Sequence, residues 1–218
     1  MRRSNCNVRP SSLALRQNER RPDVLTEATD LLATRRSIPI LMLADPAPSG
    51  EELDRILTIA ARVPDHGKLA PWRFILYRGE AAAGIGRALA KLVAAREGER
   101  MTETRQKVEA ERFTRAPLVV GVVSTAREHV KIPVWEQQLS GAAAAMNLVN
   151  AVHAHGYAAN WVTEWVAYDE DAKAILGIAP EERVVGFIHV GTPTEPPSER
   201  PRPELSAIVT EAVAPGAA

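Results

Sequence analysis

The chain has 218 residues, enough for one domain whose core needs no covalent staple. With 25% charged and 45% hydrophobic residues it has ordinary globular composition, and a formal net charge of +0 excludes a global field for nucleic acid or anionic membrane. Cys6 is the single cysteine, which excludes an internal disulfide and a cysteine-rich metal site and suggests a reducing cytoplasm.

Residues 1–22 carry Arg2, Arg3, Arg9, Arg16, Arg20 and Arg21 against one acid, Glu19, with no apolar period. Such a start reads as a disordered extension, with an organelle transit peptide as the alternative. A single domain is expected over 23–210, followed by a flexible tail over 211–218. No apolar run reaches the roughly 18 residues of a membrane helix, so no membrane span is expected.

Val24, Leu25, Ala28, Leu31 and Leu32 recur at helical spacing, and Pro39 stops the chain after Arg35–Arg36–Ser37. Ser49 and Glu52 have the spacing of a capping box ahead of a helix with Leu53, Ile56, Leu57 and Ala60 as its core face. The stiff connector VPDHGKLAPW follows, from Val63 to Trp72, and Trp72–Tyr77 reads as a strand. Helices are predicted over Glu80–Ala95 and Glu103–Arg115. Pro117–Ser124, apolar on both faces, should be a central buried strand.

Val134–His155 reads as a long helix whose middle, Ser140 to Ala145, is all small residues that admit close packing. A short strand over Tyr157–Trp161, a helix over Asp169–Leu176 and a buried strand over Arg183–Val190 follow. The proline-rich stretch GTPTEPPSERPRPEL cannot continue a helix and should run extended over a surface. Two helices before any strand argue against a regular βαβ winding and for an α+β sandwich around a small mixed sheet.

Several chemistries lose their usual signs. Gly84–Ile85–Gly86 lies in a helical pattern and has Leu89 at the third glycine position, so it is not a dinucleotide fingerprint. There is no GxxxxGK[ST] loop and no GxSxG elbow. His153 and His155, two apart on a helix, point about 200° apart and do not chelate one metal ion. One is expected at the surface and one half-buried, with His189 packed in the core. The features that remain are Arg35–Arg36–Ser37, with Arg200 and Arg202 on one face of the extended tail, and the His66–Lys68 connector. The arginines suit an anion, and both sets also read as solvated surface or rigid linker.

These features occur together in one known family. RRSIPIL, PAPSGEELDRILTIAARVPDHGKLAPWRF, RAPLVVGVV, KIPVWEQQLSGAAAAMNL and RVVGFIHVGTP, within roughly residues 24–210, resemble the FMN-dependent nitroreductases, in particular their small bacterial NAD(P)H nitroreductase branch. The resemblance implies an intertwined homodimer of α+β sandwiches, with FMN in the interface contacted by both chains. It implies that Arg35, Arg36 and Ser37 hold the ribityl phosphate and flavin edge, with Arg200 and Arg202 on the phosphate. Arg62 and His66 reach the FMN of the partner subunit, and Trp161, Val162 and Thr163 line the flavin. Asp65, Lys68 and Ala70 replace the amide-bearing residues of many relatives, and Val162 replaces a basic residue common in the branch.

The implied activity is ping-pong hydride transfer from NADH or NADPH through FMN to an electron-poor small molecule, such as a nitroaromatic or quinone. Lys68 or His66 is then expected to place a cation at the N1–C2=O edge of the flavin. No metal is expected, and no side chain need serve as nucleophile or acid. Another flavin reductase or dehydrogenase reaction on the same scaffold, a flavin-storage protein without turnover, and a cofactor-free interaction domain are the competing readings.

Overall fold

A computed structural model describes residues 24–214; the arginine-rich extension and the last four residues lie outside the described residues. The chain divides into two units, Met1–Arg35 and Arg36–Ala218. In the first, Val24–Thr34 forms helix α1, and the Arg35 N–H bonds the Leu31 carbonyl at 2.9 Å.

The second unit contains β1 (Leu43–Ala44), α2 (Gly50–Ala60), β2 (Trp72–Tyr77), α3 (Gly79–Glu97), α4 (Glu103–Ala110), β3 (Leu118–Ser124), α5 (Val134–Ala154), β4 (Ala158–Val162), α6 (Glu170–Ile175) and β5 (Arg183–Pro193). The predicted elements are all present, with ends shifted by a few residues. The two-residue β1 was not foreseen. It is too short to carry a period of its own and exists by pairing Leu43 with Pro193 and Ala44 with Thr192.

The sheet runs β1-β5-β3-β2, with β4 paired to β5. Every pairing among the described residues is antiparallel, which corrects the expectation of a mixed sheet. The α+β expectation holds.

β3 is buried at every position because both its faces are covered. Leu118, Val120 and Val122 pack with Leu53 and Ile56 of α2 and Leu148 and Val152 of α5. Val119 and Val123 point the other way, toward Leu89 of α3, Phe113 and Phe187. Tyr77, Phe113 and Phe187 meet on that second face at centroid distances of 4.9 to 6.2 Å. Gly86 lies inside α3, where an added Cβ would stand 1.9 Å from the Ala110 carbonyl oxygen of α4. Gly86 therefore serves helix packing.

Two local expectations are corrected. Ser49 is the N-cap of α2, but no side-chain cap bond forms there. Glu52 is instead taken by the Tyr157 hydroxyl at 2.8 Å and faces His155 Nδ1 at 3.4 Å, so a long-range partner wins over the local box. The helix expected to run to Arg115 ends at Ala110, because the chain then turns to bury Arg112 and Phe113.

Candidate functional site

The backbone beside Arg36 is pinned by two elements. His153 Nε2 of α5 lies 3.0 Å from the Arg36 carbonyl, and its Nδ1 lies 2.8 Å from the Val149 carbonyl. The Ile38 N–H bonds Ala159 O of β4, and Asn160 Nδ2 donates back to Ile38 O at 2.6 Å. Arg36 and exposed Ser37 therefore run alongside the start of β4, the strand that carries Trp161 and Val162.

The extended tail closes on this edge. Arg36 Nε donates to Ser198 O at 3.0 Å and lies 3.6 Å from Glu199 Oε1. The same oxygen accepts the Arg200 N–H at 2.8 Å and faces Arg202 Nη2 at 3.3 Å. Arg36 and Arg202 meet on one oxygen, and Arg200 takes part through its backbone N–H rather than its fork. The anion they share is a carboxylate of the chain itself. The Arg200 N–H, with Arg202 and Arg36, holds that carboxyl below the usual glutamate range.

Trp161 of β4 is half-buried against β5. The register of β3 against β5 shifts between Val122 and Val123, leaving Val185 outside the regular ladder, and the Trp161 indole N–H donates to its carbonyl at 3.2 Å. Gly186 makes room for the ring, since a Cβ there would lie 1.9 Å from Trp161 Nε1. Val162 pairs with Phe187, and Thr163 Oγ1 accepts the Tyr168 hydroxyl at 3.3 Å.

The next residue was not singled out in the sequence. Glu164 has φ 57° and ψ 179°, a region that glycine occupies and other residues avoid. Its Oε2 accepts Arg115 Nη2 at 2.7 Å and Arg112 Nη1 at 2.9 Å. Arg112 in turn makes two 2.7 Å bonds to Glu109, which is fully buried and also accepts from Trp165 Nε1 at 3.2 Å. Burial opposes the charge of Glu164, but the Arg115 bond and the Arg112 charge outweigh it and lower its pKa. Nothing local marks Glu164; only the Glu109–Arg112–Arg115 spacing hints at a charged cluster.

The connector VPDHGKLAPW sits on α5. Ser140 Oγ donates to Pro64 O, Asn147 Nδ2 approaches Arg62 O at 3.3 Å, and His66 Nδ1 lies 2.7 Å from Glu136 Oε2. Pro64 and Pro71 stiffen the connector, and Asp65 adds a second constraint. The Asp65 carboxylate accepts Leu69 N–H at 3.1 Å and Ala70 N–H at 2.8 Å, closing the loop on itself. Lys68 (φ 56°) and Ala70 (φ 44°) are held left-handed at about 1 kcal/mol each. Gly67, at φ 74°, also avoids Ile132, whose Cδ1 would lie 2.3 Å from an added Cβ.

Arg62, His66 and Lys68 are exposed. Beside His66 opens a depression of about 340 Å³, lined by Pro64, Glu136, Leu139, Ser140 and Ala143. Among the described residues no hydrogen bond or ion pair joins this loop to the Arg36–Arg202 cluster.

The sequence model of the family described as Nitroreductase matches residues 32–192. The chain belongs to the nitroreductase family. The Escherichia coli K12 protein named Putative NAD(P)H nitroreductase YdjA is 32% identical over 168 residues, covering 77% of this chain and 88% of the relative. A Haemophilus influenzae protein with the same NAD(P)H nitroreductase name is 36% identical over 173 residues, covering 78% and 90%. The nitroreductase-like protein of Bacillus cereus superposes with a TM-score of 0.69 at 20% identity, covering 85% of this chain and 95% of that one. The FMN-dependent nitroreductase NfnB of Mycobacterium smegmatis, solved with NADPH, also gives 0.69, at 18% identity and coverages of 88% and 100%. The likeness to these two structures establishes the fold.

Among the described residues, no helix is long and apolar enough to cross a membrane. His189 is buried as expected, and burial, aided by the Arg115 charge, pushes it down to about 4. His153 and His155 are both half-buried and hydrogen-bonded, so neither is the surface histidine expected.

Proposed function

We propose that this nitroreductase-family chain is an FMN-dependent oxidoreductase that uses NADH or NADPH to reduce an electron-poor small molecule, acting as a homodimer. One observation carries the reading: Arg36 and Arg202, from opposite ends of the second unit, converge on a single anionic oxygen. In a chain with no net charge, such a cluster is a local anion site, and planar guanidiniums suit a phosphate monoester.

FMN, when bound, would supply two-electron transfer between reduced nicotinamide and the acceptor. The chain supplies position and field. Arg36, Ser37 and Arg202 bind the phosphate, with the Arg200 N–H beside them. Trp161, Val162 and Thr163 form the wall next to it, and Glu164, clamped by two arginines, fixes where that wall turns. His66 is already paired with Glu136, so Lys68 is the cation we assign to the flavin edge.

The surroundings of the loop support a second chain. His66 pairs with Glu136 of α5, a helix that also exposes Trp135 (66%) and Leu139 (48%), one helical turn apart. An exposed apolar stripe of this kind suits a second copy, which would bring its own loop to the first copy's phosphate cluster. Ser140, Gly141, Ala144 and Ala145 are buried within the chain, so the small-residue stretch serves the protomer's own core as well.

The test is direct. Purified protein, heated to release its ligand, should yield FMN by chromatography, and light scattering should give the dimer mass. Colourless protein would favour a cofactor-free interaction domain, and a monomer would remove the shared site.

A further inference from the structure

The cluster that the flavin reading assigns to phosphate already contains an anion. Glu199 Oε1 takes the Arg200 N–H at 2.8 Å, Arg202 Nη2 at 3.3 Å and Arg36 Nε at 3.6 Å. All three contacts fall on one oxygen of a side chain that is 66% exposed. The side chain is thus free to turn into solvent without unpacking any core.

The tail around it is built to stay in place when the side chain leaves. Pro196 and Pro197 precede Ser198, and Pro201 and Pro203 flank Arg202, so φ is fixed on both sides of Glu199. Arg36 keeps a second hold on the tail through Ser198 O at 3.0 Å. The charges are also unbalanced: Arg36, Arg200 and Arg202 stand against one carboxylate. A carboxylate brings one negative charge and a phosphate monoester roughly 1.5 to 2, spread over three terminal oxygens. The monoester is therefore the better partner for the same donors.

We propose that Glu199 is a displaceable internal anion: it occupies the phosphate donors of the cofactor-free protein and must swing away when FMN binds. It thereby lowers the protein's affinity for the phosphorylated flavin while keeping the tail on Arg36 in the cofactor's absence. The inference rests on the flavin reading and adds to it a residue that opposes cofactor binding.

The test compares the flavin-stripped parent with Glu199→Gln, whose amide keeps the shape and removes the charge. FMN and riboflavin are each titrated by quenching of flavin fluorescence, with far-UV circular dichroism confirming that both proteins are folded. The expected result is FMN binding about fivefold tighter to E199Q, the scale of one exposed charge interaction, with riboflavin binding unchanged. FMN binding that is equal or weaker in E199Q, with the parent binding FMN normally, overturns the role of Glu199 and leaves the flavin reading standing. Tightening of both ligands alike also overturns it, because the effect would not pass through the phosphate. A parent that binds neither flavin overturns the flavin reading, and the inference with it.

Discussion

Glu164 and Arg115 are joined by a 2.7 Å ion pair that holds a glutamate in backbone geometry suited to glycine. The pair sits directly after the strand bearing Trp161 and Val162, and Arg112 completes it at 2.9 Å from the same oxygen. The clamp stabilises what the backbone resists, so the two contributions can be separated by substitution. Glu164→Ala keeps the left-handed strain and leaves two arginines short of a partner; a loss of about 2–4 kcal/mol in urea unfolding is expected. Glu164→Gly loses the same ion pairs but relieves the strain, and should be about 1 kcal/mol more stable than E164A. Equal stability of the two variants would show that the backbone at 164 stores no strain.

A pH effect follows from His189. The unfolded chain takes up its proton near pH 6.5, whereas the buried imidazole resists it until about 4. The unfolded state therefore binds more protons in this window, and stability falls as pH drops through it, by about 1.4 kcal/mol per unit. In Glu164, by contrast, the lowered carboxyl stabilises the fold above its ordinary value of 4.5 and loses that contribution below it. Thermal melts from pH 7 to 4 should therefore show a steeper decline in the parent than in His189→Gln. Parallel curves would contradict a neutral, buried His189.

Asp65 carries a prediction for the connector. Its two oxygens cap Leu69 and Ala70 and hold the left-handed turn at Lys68 and Ala70. Asp65→Ala should cost about 1–2 kcal/mol in stability, as the loss of a capping side chain does, and weaken FMN binding by loosening the loop. Asp65→Asn, which keeps one acceptor oxygen, should fall between. A D65A protein with parental melting and FMN affinity would show that the prolines suffice.

The contrast between the connector and Glu164 shows what was legible in the sequence. β3 could be read because it is covered on both faces, so its apolar run has no interruption, and the length of α5 made it evident. Arg36, His66 and Trp161 were singled out only through the family resemblance. Glu164 was not, because its partners Arg112 and Arg115 lie in a distant segment and no local pattern announces a glutamate in a glycine conformation. Glu52 misled for the same reason: its local capping spacing was right, but Tyr157 captured the carboxylate. The β5 bulge that seats the Trp161 indole depends on register, which the sequence of one strand alone does not specify.

Lys68 is predicted to act on the flavin's electronics. A cation at the edge that becomes anionic on reduction favours the reduced form, so Lys68→Ala should lower the FMN midpoint potential. For an exposed side chain the scale is about 1 kcal/mol, or about 20 mV in a two-electron couple. Lys68→Arg should retain most of the parental value. An unchanged potential in K68A with FMN still bound would remove Lys68 from this role.

The central claim, that this nitroreductase-family chain turns over a bound flavin with a nicotinamide donor, is tested most directly by anaerobic titration of the purified protein with NADH and NADPH. The account predicts that the visible flavin band bleaches with at least one of them and returns when a quinone or nitroaromatic acceptor is added. A flavin colour that persists under both donors would contradict it and leave a flavin-binding protein without turnover.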